Sequence, residues 1–435
     1  MSPEIVGVIG IVLLLVLFML KIPVGIALII VGVLGTSIIR GWDIAFSQLG
    51  RTPFDTAASY SLSVIPLFIL MGMVLSYTGL GSDLYKAVDS WIGHLRGGLA
   101  MATVGTASIF SAISGSLNAT TATVSKISLP EMEKFNYKSS LSTACVAAGG
   151  TLGILIPPSV ILILYGILTR EPIGDLLIAG IIPGLIQVLL FIATIAILVR
   201  RDPSLAPART EKVKLIEKIK SLKDVWPFLL LFLISIGGIY LGVFTPTEAA
   251  GVGAVSSIVV SIISRKLDWQ KLLASFNESV RLTAYIFLIL IGATLFGQFI
   301  TISRIPFKLT TYVGNLDLNA YVILALMLLA LFLLGCFVEG LSLIVLTLPI
   351  VYPIVTELGF NGVWFGIIMV MAINIGSLTP PIGISVYVIK GAAPHIPIQA
   401  IFKGVIPMIF AMVLCIIILI AIPELVTILP DMMNK

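Results

Sequence analysis

From residue 5 to residue 20 every position is apolar or glycine, with Glu4 in front and Lys21 behind. Runs of this kind recur along the whole chain, near the roughly 20 residues that carry a helix across the hydrocarbon layer of a bilayer. The pattern predicts two spans (5–20 and 23–39), then an amphipathic stretch near Trp42 and a third span (62–78). A paired apolar segment (about 98–132) and a span interrupted at a Pro-Pro pair (about 140–168) follow, and a final span (175–199) closes the half. The same order returns as 225–243, 246–263, an amphipathic stretch near Trp269, 280–300, a pair at about 320–356, a Pro-Pro-broken span at about 362–390, and 402–422. Trp42 and Trp269 suit membrane-interface anchors. Residues 1–199 and 225–435 therefore read as two repeats joined by a charged linker, 200–224.

The repeat is visible in residue identities. Gly153-Ile154-Leu155-Ile156-Pro157-Pro158 returns as Gly376-Ser377-Leu378-Thr379-Pro380-Pro381, and the same offset of 223 carries Pro23 onto Pro246 and Ala27 onto Ala250. Leu129-Pro130 matches Leu348-Pro349 at 219, so a small indel separates the marks. A pair of limbs returns the chain to its starting side, so each half crosses an odd number of times. Duplicated halves of that kind are inverted relative to one another, an arrangement common in secondary transporters.

Composition narrows the class. Of 435 residues, 58% are hydrophobic and 11% charged, and the mean hydropathy is +1.15. A soluble domain carries about a quarter charged residues, so a soluble enzyme is excluded and the partner at most of the surface is membrane lipid. The N-terminal run lacks the leading positive charge and small-residue cleavage site of a secretory signal, and is expected to stay as a span. There is no G-x-x-x-x-G-K run to bind a nucleotide. Cys145, Cys336 and Cys415 lie in separate apolar segments and imply no disulfide framework.

The net charge of +5 follows loop sidedness and is not a nucleic-acid signal. The linker holds eight Lys or Arg, which places it in the cytoplasm by the positive-inside rule. Threading outward from it puts 19 cationic residues inside, Lys21, Lys86, Arg96, Lys134, Lys138, Arg265, Lys266, Lys271, Arg281, Lys390 and Lys403 among them. Six fall outside, Arg40, Arg51, Arg170, Arg304, Lys308 and Lys435, with Lys126 left inside an apolar pair. Both termini come out extracytoplasmic.

Candidate chemistry gathers at two kinds of place. Between Ser111 and Ser128, nine hydroxyl or amide side chains occupy eighteen positions, and Ser114-Gly115-Ser116 sits where the apolar run breaks. Small polar residues serve close helix packing in membranes; the other reading is a re-entrant hairpin whose tip presents carbonyls and half-helix ends to a cavity. The matching tip is Gly335-Cys336-Phe337-Val338-Glu339-Gly340. Glu339 is a functional candidate, as acids between apolar segments are, or a loop residue at the outer interface. The sequence permits both re-entrant and fully crossing limbs.

The second kind is the Pro-Pro breaks, preceded by Gly149-Gly150-Thr151-Leu152-Gly153 and by Asn374-Ile375-Gly376-Ser377-Leu378-Thr379. Glycine lets backbone leave helical geometry and proline removes donors while suiting a new first turn. Unwound carbonyls able to bind Na⁺, beside N–H-rich helix starts able to bind an anion, are expected there. Thr245-Pro246-Thr247-Glu248 fits a capping box. His94 and His395 read as solvated loop residues, and Lys126 as snorkelling or paired near Glu131.

Taken together these runs resemble the large membrane subunit of tripartite ATP-independent periplasmic (TRAP) transporters. The resemblance spans essentially the whole chain. Its most specific marks are Ser114-Gly115-Ser116 with Ala119-Thr120-Thr121-Ala122-Thr123, Leu129-Pro130-Glu131-Met132, and the run from Ala148 to Ser159. Tyr240-Leu241-Gly242 with Thr245 to Ala250, and Thr379-Pro380-Pro381 with Gly383, complete them. The resemblance implies an all-α polytopic elevator-type transporter with two inverted repeats, each with a re-entrant hairpin, driven by a Na⁺ gradient in the bacterial inner membrane.

Carried onto this sequence, one Na⁺ site would use Ser114, Gly115, Ser116, Asn118, Gly149, Gly150 and Gly153. The other would use Gly335, Cys336, Glu339, Gly376 and Thr379. Substrate, an organic acid anion such as a C4-dicarboxylate or sialic acid, would lie between the tips against Ser114, Ser116, Asn118, Thr151, Phe337, Asn374 and Ser377. A small four-helix membrane subunit and a periplasmic binding protein would be separate chains. A stand-alone Na⁺/carboxylate symporter is the alternative, distinguished by uptake without a binding protein. An intramembrane enzyme is disfavoured, because the chain has two histidines and neither H-E-x-x-H nor G-x-S-x-G.

Overall fold

The computed structural model describes residues 1–207, 214–315 and 318–433. Residues 208–213 of the linker, and Lys435 of the outside charge count, lie outside the described residues. Among the described residues the secondary structure is helical throughout, and seven helices are long and apolar enough to cross a membrane. The chain is thus built as a polytopic membrane protein.

Two hydrophobic cores organise it. One gathers both paired segments, both Pro-Pro-broken helices and the spans Ile181–Arg201 and Ile398–Ala421. At its centre lie Ser139–Leu155, buried from Leu141 to its end, and Gly362–Leu378, of which only Gly362 is not buried. Small and apolar residues cover most of both circumferences, with a few buried polar side chains among them, the pattern of helices with no solvent or lipid face. The second core joins Pro3–Met19, Val24–Arg40, Val64–Tyr77, Pro246–Ile263 and Trp269–Ile302. Val24–Arg40 and Trp269–Ile302 cross at backbone contact, since a Cβ on Gly25 or Gly32 would fall 2.7 Å from the main chain of Leu288 or Leu295. Small residues allow that approach.

Each paired segment folds as two helices joined by a short tip: Gly98–Ser114 with Leu117–Lys134, and Ala320–Gly335 with Gly340–Glu357. Each Pro-Pro helix is two pieces: Ser139–Leu155 with Val160–Thr169, and Gly362–Leu378 with Ile384–Ala392. Both Pro-Pro peptide bonds are cis.

Several sequence expectations need correction. The amphipathic stretch near Trp269 is not separate from the next span; Trp269–Ile302 is one 34-residue helix. No proline interrupts it and Asp268 caps its start, accepting from Lys271 N at 2.8 Å. The first half instead divides there, with Trp42–Ala57 ending before a new turn at Tyr60. Helices Leu80–Ile92, Ile305–Gly314 and Glu424–Met433 had no counterpart in the apolar pattern, being short and mixed. His395 is not merely solvated, since its Nε2 lies 2.7 Å from Glu133 Oε1. His94 has an enclosed Nδ1 without a partner. Trp42 and Trp269 are exposed, as anchors require.

The first broken helix is tied at its start. Lys138 Nζ reaches Asp202 Oδ2 at 3.3 Å and Ser204 Oγ at 2.6 Å, and Lys138 N donates to Leu205 O at 3.0 Å. Hydrogen bonding from the Ser204 hydroxyl, then from Lys138, holds the Asp202 carboxyl below the usual carboxylate range.

Pro246–Ile263 starts with a full capping box. Glu248 N donates to Thr245 Oγ1 at 3.3 Å, and Thr245 N donates to Glu248 Oε2 at 2.9 Å. Glu248→Ala is therefore expected to lower stability by about 1 kcal/mol and to leave transport per folded molecule unchanged. Thermal unfolding in detergent alongside uptake checks this; a folded, inactive variant would give Glu248 a role beyond the cap.

Candidate functional site

The first tip is made by one glycine and one cap. Gly115 ends Gly98–Ser114 at φ +59, and its N–H bonds Ser111 O at 3.2 Å. A side chain there would also meet the Pro158 carbonyl, so conformation and space both require glycine. Ser116 opens the return limb as its N-cap, accepting from Ala119 N at 3.4 Å. Across the tip, Ser114 Oγ and Thr120 Oγ1 lie 2.8 Å apart, and Ser111 Oγ lies 3.5 Å from Thr120 Oγ1. Thr121 Oγ1 is buried without a hydrogen-bond partner.

The Pro-Pro breaks lie later than the glycines suggest. Gly149, Gly150 and Gly153 are helical, as are Asn374, Gly376 and Ser377; the backbone leaves the helix at residues 156–159 and 379–383. The glycines serve approach instead. A Cβ on Gly153 would fall 2.8 Å from Ser116 O, one on Gly149 2.6 Å from Ala107 Cβ, and one on Gly150 against Thr121 Oγ1. Gly335 and Gly376 meet likewise, a Cβ on Gly376 falling 2.7 Å from Gly335 Cα. Each break is thus pressed directly on its own tip.

Broken helices leave orphan backbone groups, and side chains satisfy them here. Ser159 Oγ donates to Ile154 O at 2.5 Å and accepts from Leu162 N at 3.3 Å, stitching both sides of the first break. In the second, Thr379 Oγ1 donates to Ile375 O at 2.8 Å, and Ser377 Oγ donates to Asn374 O at 2.7 Å while lying 3.4 Å from Ser385 Oγ. The breaks join each other through Asn374, whose Nδ2 donates to Thr151 O at 2.7 Å. These two residues are 223 apart, the repeat offset itself.

Both tips, both breaks and the second core bound one cavity of about 730 Å³. Among the residues expected from sequence, Ser114, Gly115, Ser116, Asn118, Glu339, Asn374 and Ser377 line it. Gly149, Gly150, Thr151, Gly153, Gly335, Cys336, Gly376 and Thr379 stand behind the wall as packing and capping groups, and Phe337 is 59% exposed away from it. Ser76, Tyr77, Thr123, Lys126, Glu278 and Tyr285 also line it and were not anticipated. Tyr77 ends Val64–Tyr77, while Glu278 and Tyr285 lie two turns apart on Trp269–Ile302, and no local spacing announces that the two helices share a wall. Lys126 was visible as a charge in an apolar pair, but it turns to the cavity and makes no ion pair with Glu131 among the described residues. Glu339 begins the return limb of the second hairpin, and its Oε2 accepts from Tyr285 O–H at 3.3 Å.

The oxygens at the first tip are neutral hydroxyls and carbonyls, the donor set of a hard monovalent cation. No cluster of His, Cys, Asp or Glu suited to a transition metal occurs among the described residues.

Comparison with known proteins places this arrangement. Residues 11–425 match the family model of the tripartite ATP-independent periplasmic transporter, DctM component. The chain is 35% identical to the C4-dicarboxylate TRAP transporter large permease protein DctM of Pseudomonas aeruginosa, over 87% of this chain and 88% of that one. It is 30% identical to the sialic acid TRAP transporter large permease protein SiaM of Vibrio cholerae, over 94% and 95%. The isethionate TRAP transporter permease protein DctMQ of Oleidesulfovibrio alaskensis is 32% identical over 89% of this chain and 61% of its own length. In fold it is similar to the crystal structure of the Alcanivorax borkumensis YdaH transporter, at a TM-score of 0.63 and 13% identity, covering 89% and 90%.

Asn374→Ala would remove the side-chain donor that reaches the Thr151 carbonyl across the two breaks, and is expected to lower stability by about 1 kcal/mol. Thr151→Ala keeps that carbonyl and should cost clearly less. Thermal unfolding of both variants decides; equal losses would mean that packing, and not this bond, joins the breaks.

Proposed function

This chain belongs to the DctM component family of tripartite ATP-independent periplasmic transporters, and we propose that it imports an organic acid anion across the bacterial inner membrane, driven by a Na⁺ gradient. Relatives named for C4-dicarboxylate, sialic acid and isethionate transport bound the substrate class to small organic anions. The chain acts with a small membrane subunit and a periplasmic binding protein that delivers the solute.

The observation that carries the reading is the convergence of both tips and both breaks on one cavity. The helix start at Leu117 and the hydroxyls of Ser114, Ser116 and Ser377 supply dipoles and donors for an anion. Na⁺ bound at the neutral oxygens of the tips would supply positive charge beside it. Solute and ion then stabilise each other's binding, which is the coupling free energy that import needs.

The two cores support an elevator. The hairpins and broken helices form one packed body, and the helices of the other core form the frame against which it moves. Lys126, Ser82 and Glu278 line the cavity near helix ends that the Lys/Arg distribution assigns to the cytoplasm, which supports reading the cavity as open inward. In that topology the repeats are inverted, both termini are periplasmic and residues 200–224 are cytoplasmic. The Asn374–Thr151 bond joins equivalent positions of the two halves, as expected at a pseudo-two-fold axis.

The test is uptake of labelled succinate, N-acetylneuraminate and isethionate into proteoliposomes holding this chain and its small partner subunit. Uptake should need both an inward Na⁺ gradient and the binding protein; uptake with Na⁺ alone would make the chain a stand-alone symporter. Ser114→Leu, which fills the cavity at the first tip, and Thr379→Leu, which removes the cap on Ile375 O, should abolish Na⁺-dependent uptake at normal expression. Unchanged uptake in either would remove that residue from the site.

A further inference from the structure

Lys126 sits on Leu117–Lys134, ten residues past the Ser116 cap, and lines the cavity. At 1.5 Å per residue its Cα lies about 15 Å from the tip. Helical side chains lean toward the helix N-terminus, so its four-carbon stem leads the ammonium back toward the tip. It is the one cationic side chain on the described wall. The wall's two carboxylates are Glu278 and Glu339. Neither is within ion-pair distance of Lys126 among the described residues, and Glu339 is engaged by Tyr285 instead. Around Lys126 on its own helix stand Ala122, Thr123 and Ile127, with Thr123 Oγ1 3.4 Å from Ser76 Oγ. No acid of that helix neutralises it.

Lys126 is exposed to the cavity and unpaired there, and ionisable side chains within membrane segments mark solute paths. We propose that Lys126 is the anion-binding side chain of the solute path, taking the carboxylate or sulfonate of the solute between the first tip and the cavity mouth. The inference rests on the reading of this chain as an anion importer and adds the residue that reads the charge. It requires no arginine, and the lysine reaches its ligand as a compact point charge on a flexible stem. Its partner groups across the cavity, Glu278 and Glu339, repel the same anion and so confine it to the Lys126 side.

The experiment uses proteoliposomes with the full membrane complex and the acid that drives wild-type uptake. Counterflow gives the half-saturating luminal concentration separately from the maximal rate. Lys126→Gln should raise that concentration about tenfold or more (tenfold is about 1.4 kcal/mol) with the maximal rate within about twofold, and Lys126→Arg should recover most of the loss. Lys126→Cys tests charge on a folded protein. Modification with 2-aminoethyl methanethiosulfonate, which rebuilds an ammonium of similar reach, should restore affinity, whereas the 2-sulfonatoethyl reagent should weaken it further. An unchanged half-saturating concentration in Lys126→Gln, or equal effects of the two reagents, would overturn the proposal. Absence of Na⁺-dependent uptake by the wild-type protein would instead reject the importer reading on which it rests.

Discussion

Everything in the core of hairpins and broken helices depends on how two helices can be broken at membrane depth without leaving backbone groups bare. In hydrocarbon an unsatisfied N–H or C=O costs several kcal/mol, so a break survives only where protein surrounds it. Here the two broken helices are the most enclosed among the described residues, and their breaks supply each other. Asn374 Nδ2 on Thr151 O spans them, while Ser159 and Thr379 close the local gaps. The hairpins follow from this need. Their limbs cover the broken helices on the sides the other break does not reach.

Close approach is the second requirement, and glycine meets it in both halves. Gly150 and Gly153 admit the first tip, and Gly335 with Gly376 admits the second. Any Cβ at these places would separate tip from break and open the cavity wall. The same residues that look like hinges in a sequence act as contact surfaces in the fold. The hinge itself is proline chemistry a few residues later, where the N–H needed to continue the helix is missing.

The cavity then inherits a particular electrostatics. Its floor is hydroxyl-rich and neutral, two carboxylates face it from Trp269–Ile302 and the second tip, and one ammonium faces it from the first hairpin. Neutral oxygens hold a monovalent cation without trapping it. Under the proposed Na⁺ coupling, such a site would bind and release on each cycle.

Membrane class, the repeat offset of 223, both paired segments and both broken helices were legible in the chain itself, because apolar run length and proline position are local properties. The capping box at Thr245 was legible for the same reason. The fate of Trp269 was not: an amphipathic turn and a span read as two elements until helix continuity across 34 residues joined them. At the site, Ser114, Ser116, Asn118, Glu339, Asn374 and Ser377 were named from pattern and line the cavity, while Gly149, Gly153 and Thr379 were named from pattern and stand behind it. Which of two adjacent polar residues faces a cavity depends on helix phase and on what packs opposite, and neither is encoded locally. Lys126 on Leu117–Lys134 comes together with Glu278 and Tyr285, one face of Trp269–Ile302, from helices distant in sequence. The chain by itself determined the number of apolar spans and that two helices break at Pro-Pro; only the tertiary structure decided which side of each break meets its neighbour, because that choice is made by packing between segments tens to hundreds of residues apart.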